Sequence, residues 1–388
     1  YFCMKILSIE TSCDETAISI INANTVKNVA HFKVLGNALL SQIKLHAKYG
    51  GVFPMMAKRE HSKALTPLLV EVLRQAKMLK RKNKNINEKE KSYLEKILNH
   101  EKELLEKFLK IIPGIEKVKI DRIAVTTGPG LEPTLWVGIN FAIALSYLWK
   151  IPIVPVNHME GHIFSSILEK KGEKKFIISN LQFPILALLI SGGHTELVLT
   201  PKFAHYKVIG ATRDDAVGEA FDKVARMLGL PYPGGPEISR LAKKGVKNNL
   251  IILPRPMINS KDFDFSFSGL KTSVLYLIKK IGKLTPKIKA DIAREFENSA
   301  TEVLTHKTLT ALKKYNAKTL VIGGGVSANE KIRTSFTQKI KNDFPEVKLH
   351  LPERNLTTDN ALMIGVTAYF KKPTKKPSLI KADGNLDF

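Results

Sequence analysis

Residues 5–20 read KILSIETSCDETAISI: an apolar run ending at Glu10, a polar turn over Thr11–Asp14, and a second run from Glu15 to Ile20. This pattern predicts two strands joined by a tight turn. It returns at 185–199, ILALLISGGHTELVL, with Ser191–His194 as the turn. A second pattern also occurs twice. Arg122–Thr126 leads through Gly128 and Gly130 into an apolar helix over 134–148, and Thr319–Ile322 leads through Gly323, Gly324 and Gly325 into a helix after Asn329. Each copy lies about 180 to 200 positions from its mate, which predicts a duplicated α/β lobe.

Turns rich in Gly and small hydroxyl residues let backbone amides approach phosphate oxygens, and a helix N-terminus adds a favourable dipole. Two lobes carrying both features are expected to face each other across a nucleotide. Tight turns also need Gly for steric reasons, so a single turn leaves the reading open.

At 388 residues, two domains are the natural expectation. They are placed at 1–150 and 151–370, followed by a Lys-rich tail at 371–388 with Pro373 and Pro377, expected to be partly ordered at best. Sixty-one Lys and Arg against 36 Asp and Glu give a formal charge of +25, which favours a polyanionic partner such as nucleic acid. A general bias towards basic surfaces is the alternative. Only Cys3 and Cys13 occur, which excludes a disulfide framework or a zinc knuckle and fits a reducing, cytoplasmic setting. No signal peptide or membrane span is read. The nearest candidate, the 14 residues from Trp136 to Trp149, reads as a buried core helix. Met4, just before the first strand, reads as the start of the protein.

From Arg74 to Lys110 there are 12 Lys and Arg against 6 Glu, with a Lys and Asn cluster at 80–87 expected to be exposed and mobile. Leu94, Ile97, Leu98, Leu104, Leu105, Phe108 and Leu109 then follow a helical period, predicting an amphipathic helix. The segment around 78–118 thus reads as a lysine-rich helical insertion, either a nucleic-acid or partner contact or simply a solvated helix. Residues 214–310 read as mostly helical, broken at Tyr232–Pro236 and Asp262–Gly269.

His158, Met159, Glu160, Gly161 and His162 follow the apolar run Ile151–Val156 at an apparent strand-to-helix junction. Helical residues rotate by about 100° each, so positions four apart share a face and the two imidazoles can hold one metal ion. They can equally fill a helix end. A zinc-protease signature needs Glu directly after the first His, whereas Glu160 stands about 200° round the helix. Asn157 and Glu160 have the spacing of a capping box.

These motifs converge on one family. The chain resembles the tRNA threonylcarbamoyladenosine transferases of the bacterial TsaD type. The matching stretches are IETSCDETA at 9–17, HAKYGGVFP at 46–54, TGPGL at 127–131, HMEGH at 158–162 and ISGGHTEL at 190–197. They continue with DDAVGEAFDK at 214–223, YPGGP at 232–236, LPRP at 253–256, DFSFSGLKT at 264–272, GGGVSAN at 323–329 and TDNALMIG at 358–365. The resemblance implies a two-lobed α/β fold of the actin, Hsp70 and hexokinase (ASKHA) superfamily, with duplicated ribonuclease H-like lobes. It implies transfer of a threonylcarbamoyl group from threonylcarbamoyl-adenylate (threonylcarbamoyl-AMP) to the N6 amine of the adenosine just 3′ of the anticodon, in tRNAs reading codons that start with A, with AMP leaving.

By motif match it also implies one divalent metal, usually iron, on His158, His162 and Asp359. Chemically, that donor set suits Fe(II) or Zn(II). Read alone, Asp359 is a helix cap, since it precedes the helical run Ala361–Thr367. Substrate contacts carry over to Leu189, Ile190, Ser191, Gly192, Gly193, Asp222, Gly235 and Asn329. In those roles Ser191, Gly192 and Gly193 would offer amides to phosphate, Asp222 would accept from ribose hydroxyls, Gly235 would admit the ring and Asn329 would bridge. Partners implied are tRNA, a paralogous TsaB-type subunit and a TsaE-type small ATPase. No catalytic triad or Cys nucleophile is indicated. Asp14 and Glu15 are candidates for orienting the amine or a second cation, although turn carboxylates are more often solvated.

The sequence departs from the family pattern at Glu132 and Pro133, where small residues are usual, at Asn157, where many bacterial members have His, and in the long insertion. The competing readings are a metalloprotease, which the position of Glu160 opposes, and a non-catalytic nucleotide- or tRNA-binding scaffold, in which the metal ligands would be expected to be lost.

Overall fold

The computed structural model describes residues 3–81 and 86–388. The expected mobile cluster at 80–87 therefore falls, at 82–85, outside the described residues, as do Tyr1 and Phe2. Two units emerge: residues 1–46, 52–180 and 359–388 form one, and 47–51 with 181–358 form the other.

In the first unit β1 (Met4–Glu10), β2 (Glu15–Val26) and β3 (Val29–Ser41) form an antiparallel meander. The short α1 (Ile43–His46) follows, then α2 (Pro54–Gln75), α3 (Glu88–Ile97) and α4 (Lys102–Ile111). β4 (Arg122–Gly128) returns parallel to β1, and α5 (Glu132–Trp149) leads to β5 (Ile153–Asn157), parallel to β4. α6 (His158–Ser166), β6 (Glu169–Gly172) and β7 (Lys175–Ile178) come next. The strand order is β5-β4-β1-β2-β3-β7-β6.

The second unit repeats the plan. β8 (Ile185–Ile190), β9 (Thr195–Lys202) and β10 (His205–Ala211) form the meander. Helices α7 (Val217–Met227), α8 (Gly234–Ala242), α9 (Ser268–Ile281) and α10 (Pro286–Lys314) precede β11 (Thr319–Gly323), α11 (Glu330–Asp343) and β12 (Lys348–His350). The order is β10-β9-β8-β11-β12, with β11 parallel to both β8 and β12. Five strands of each sheet thus share one order, the ribonuclease H-like order, and the expected duplication is present. The strands β1 and β8 are almost wholly buried, as apolar runs covered on both faces must be. The chain returns to the first unit in α12 (Ala361–Tyr369), which packs on β1 and β2.

The expected boundary at 150/151 moves to 180/181, because β5 and β7 are tied by ladder hydrogen bonds into the first sheet. The expected boundary at 370/371 moves to 358/359 for the same kind of reason, since α12 covers that sheet. Nor is the tail a loose end. Asp383 N donates to Thr127 O at 2.9 Å, Gly130 N to Gly384 O at 3.1 Å, and Asn157 Nδ2 to Asp387 O at 3.1 Å.

The single amphipathic helix expected after residue 90 is instead α3 and α4, broken over Leu98–Glu101. Leu94, Leu98, Leu104 and Phe108 all enter the core of the first unit beside α2 and α5, so the apolar period continues across the break. The insertion is thereby a packed layer of the fold. In the second unit the break expected at Asp262–Gly269 is longer: residues 243–267 form no helix, and Arg213 ties this loop through Asp262 and Asp264. No helix of the described residues is long and apolar enough to cross a membrane.

Candidate functional site

The junction between β5 and α6 is built by Asn157. Its side-chain oxygen accepts from Met159 N at 2.8 Å and Glu160 N at 3.2 Å, fixing the first turn of α6. The Glu160 carboxylate does not complete a capping box; it pairs with Lys371 beyond α12. Asn157→Ala is expected to cost about 1–2 kcal/mol, read from the urea midpoint, because the cap and the bond to the C-terminal segment are lost together.

His158 and His162 then stand on one face of α6, ring centroids 4.7 Å apart and nearly perpendicular. Gly161 lies where a Cβ would meet Met363 and Ile364 at 3.1 and 3.2 Å, so α6 and α12 approach closely. That approach delivers Asp359. Its Oδ1 lies 3.3 Å from both His158 Nε2 and His162 Nε2. Asp359 is not the cap of α12: Asn360 is, accepting from Met363 N at 3.0 Å.

Glu10, wholly buried at the end of β1, organises the other side of His158. Its Oε2 lies 3.2 Å from His158 Nδ1 and accepts from Thr126 Oγ1 at 2.6 Å, while Oε1 accepts from Ser12 N at 2.6 Å. A carboxylate on the far nitrogen of an imidazole fixes its tautomer and turns Nε2 outward, the usual support for a metal-bound His.

The residues fit a divalent ion. One ligand atom from each of His158, His162 and Asp359 lies within 4.8 Å of the others. The 3.3 Å approaches match the edge of a tetrahedron with ligands at about 2.0–2.1 Å, which is about 3.4 Å. His162 is 1% exposed, yet among the described residues neither ring nitrogen has a hydrogen-bond partner. The 3.3 Å approach to Asp359 lacks hydrogen-bond alignment, so this buried donor or acceptor is unsatisfied by protein alone. The carboxylates make the cluster a place that favours positive charge. Burial pushes the Asp359 carboxyl up, but the two imidazoles outweigh it and hold the carboxyl well below its usual range. Burial likewise disfavours charge on His158, and Asp359 and Glu10 reverse this, raising its pKa well above normal.

The turn beside this cluster is dry. Asp14 and Glu15 are 8% and 7% exposed, so the expected solvation of these carboxylates does not hold. Burial, with Asp359 and Asp14 nearby, pushes Glu15 up to about 10. His61 of α2 clamps the turn, Nδ1 lying 2.7 Å from Thr16 Oγ1 and Nε2 2.9 Å from Cys13 O. A carbonyl only accepts, so Nε2 carries the proton and Nδ1 accepts from Thr16.

Burial holds His61 down to about 4 against an ordinary value of 6.5, despite the raising influence of the Cys13 carbonyl and of Glu10 and Asp14. The unfolded chain therefore binds a proton between those values that the folded chain refuses. Stability falls as pH drops through that window, by about 3 kcal/mol in full. Urea midpoints measured across the window are expected to fall more steeply for the natural protein than for His61→Gln.

The glycine turn of the first unit is filled by its own chain. A Cβ at Gly130 would lie 2.7 Å from Ser12 O, and one at Gly128 would lie 2.0 Å from Asp383 O. The phosphate-cradle expectation therefore fails there. In the second unit the turns are open. Ser191 O accepts from Gly218 N at 3.2 Å, and on the same helix α7 Asp222 Oδ1 accepts from Gly234 N at 2.6 Å. On α8, Ser239 Oγ lies 2.9 Å from Asn329 Nδ2, and Gly324 presses on Ile190 O. These contacts close a ring through Leu189–Gly193, Asp222, Gly235 and Asn329. A Cβ at Gly192, Gly193, Gly235 or Gly325 would meet nothing within 4 Å.

Asn329 is fully engaged, accepting from Ile332 N and donating to Ser239 and Glu297, so it holds the wall of the cradle. Asp222 is raised by its burial, an effect the Gly234 and Gly235 amides oppose.

The sequence matches the family described as "TsaD: tRNA N6-adenosine threonylcarbamoyltransferase" over residues 33–87 and 88–366. A Persephonella marina protein named tRNA N6-adenosine threonylcarbamoyltransferase is 43% identical over 369 residues, covering 94% of this chain and 90% of that one. A Staphylococcus epidermidis protein of the same name is 40% identical over 366 residues, covering 94% and 91%. The chain belongs to the TsaD family. Among solved structures, full-length HypF in its phosphate- and nucleotide-bound form aligns with a TM-score of 0.48 at 12% identity, over 94% of this chain and 46% of that one.

As a TsaD-family member the protein is a transferase, and its metal candidates lie together as the HMEGH and TDN motifs imply. Sequence reasoning passed over Glu10 and His61. The available signal for Glu10 was a carboxylate ending an otherwise apolar strand.

Proposed function

We propose that the protein transfers the threonylcarbamoyl group of threonylcarbamoyl-adenylate to N6 of the adenosine just 3′ of the anticodon, in tRNAs reading codons that begin with A, releasing AMP. What supports this most is the convergence of His158, His162 and Asp359 on one point beside a buried acidic turn, in a chain of this family. These three residues would hold one divalent ion, with Fe(II) implied by the family resemblance and Zn(II) equally suited to two imidazoles and a carboxylate. When bound, such an ion supplies a Lewis acid for phosphate or carboxylate oxygens.

The rest falls to the chain's own groups. Glu10 aims His158, His61 holds the Cys13–Thr16 turn, and the open amides around Gly192, Gly193 and Gly235 receive the adenylate. The amine attacks the carbamoyl carbon, the new C–N bond forms, the C–O bond to phosphate breaks with its electron pair leaving on AMP, and the amine's proton passes to solvent. The mixed anhydride is already activated, so positioning supplies much of the rate. The reading places the protein in the cytoplasm with tRNA and with TsaB-type and TsaE-type partners.

The test supplies purified protein and those partners with threonylcarbamoyl-adenylate, ATP and the tRNA. A threonylcarbamoyl mass increment on adenosine is expected, and its absence refutes the reading. Peptide cleavage finds no support, because Glu160 is tied to Lys371.

A further inference from the structure

Against α3 of the lysine-rich insertion the first unit holds a half-open cavity of about 780 Å³, within the range of small-molecule sites. Its walls come from α2, α3 and the turn after it, α5, and the C-terminal segment. Part of the lining is flat and apolar, with Trp136 and Ile143 from α5 and Tyr93 from α3. The charged lining is one-sided: Lys58, Lys96 and Lys381 against a single carboxylate, Glu101. That carboxylate is 3% exposed and already engaged, 3.3 Å from Lys58 Nζ and 3.3 Å from Asn140 Nδ2. Among the described residues neither Lys96 nor Lys381 has an ion pair.

Three ammonium groups around one engaged carboxylate exclude a metal ion as occupant, and the two unpaired ones, Lys96 and Lys381, stand exposed at the rim where they can meet an anion. An anion carrying a flat ring satisfies both parts of the lining, its ring on Trp136 and its phosphate on the lysines. We propose that this cavity is a nucleotide site built from the first unit alone, whatever the cradle of the second unit binds. It takes one nucleotide, either free or as an unpaired nucleotide of an RNA chain.

The protein has two tryptophans, and Trp149 is 2% exposed, so a ligand in this cavity acts on the emission of Trp136. Full-length protein is titrated with AMP and, separately, with a short unpaired oligoribonucleotide. A saturable change in tryptophan emission is expected, which Trp136→Phe removes and Asp222→Asn retains. Lys96→Glu combined with Lys381→Glu is expected to raise Kd about tenfold or more, with the circular dichroism spectrum unchanged. Saturation by AMP alone assigns the cavity to a free nucleotide, and a response to the oligonucleotide assigns it to RNA. No saturable change with either ligand, or an affinity indifferent to the lysine substitutions in a folded variant, overturns the proposal.

Discussion

Replacing His162 by Ala is expected to lower threonylcarbamoyl transfer by more than about a hundredfold and to remove bound divalent metal, while the chain still unfolds cooperatively. His162 is the cleaner of the two imidazoles to remove. His158 is tied into the Glu10 network, so its loss also strands a buried carboxylate. Among the described residues the His162 ring has no hydrogen-bond partner, so truncation breaks no hydrogen bond with them and leaves a small void. A purely structural role predicts a modest stability loss and near-normal transfer. A ligand role predicts near-normal stability and loss of both metal and product. Elemental analysis beside the nucleoside assay separates these, and retained metal with retained transfer would refute the assignment of His162.

The second large effect is expected at Glu10. Its two oxygens accept from Ser12 N, Thr126 Oγ1 and His158 Nδ1, three groups that all point a hydrogen inward. Glu10→Gln keeps the volume and one acceptor but places an amide among donors. The Thr126 hydroxyl can rotate away; the Ser12 amide and the His158 ring cannot do so freely. Metal affinity is expected to fall about 10- to 100-fold, since Glu10 orients a ligand without being one. Stability is expected to fall by about 1–3 kcal/mol, because a buried donor loses its acceptor. Competition with a chelator measures the first and urea unfolding the second. Unchanged metal affinity in a destabilised variant would reduce Glu10 to a strand-end hydrogen-bond hub.

The duplicated plan was legible in the sequence because it rests on local signals. KILSIE and ILALLI are short, mainly apolar runs that fold as buried strands, and their turns recur at one separation. The pairing of His158 and His162 was legible too, since four residues of helix place them together whatever the surroundings. Other features depend on partners far away in sequence. Asp359 reads locally as a cap, and only the close approach of α6 and α12 at Gly161 frees it for the imidazoles. Glu160 has capping-box spacing, yet Lys371, 211 residues on, takes its carboxylate. The break between α3 and α4 was hidden because both helices bury leucines in one core, so the apolar period runs through it. The dryness of Asp14 and Glu15 likewise depends on a complete sheet and on α2 around a turn that looks solvated.

The first unit is interrupted by the second, and α12 and the segment bonded to Thr127, Gly130 and Asn157 belong to it although they follow the second unit in sequence. During synthesis the second unit has all its residues before Asp359 emerges. Until then α6 offers an ion two nitrogens and no carboxylate. The candidate ligand set is therefore completed only after the whole second unit has been made, and a chain that stalls or is cut before residue 359 can carry an assembled cradle but lacks the carboxylate of that set.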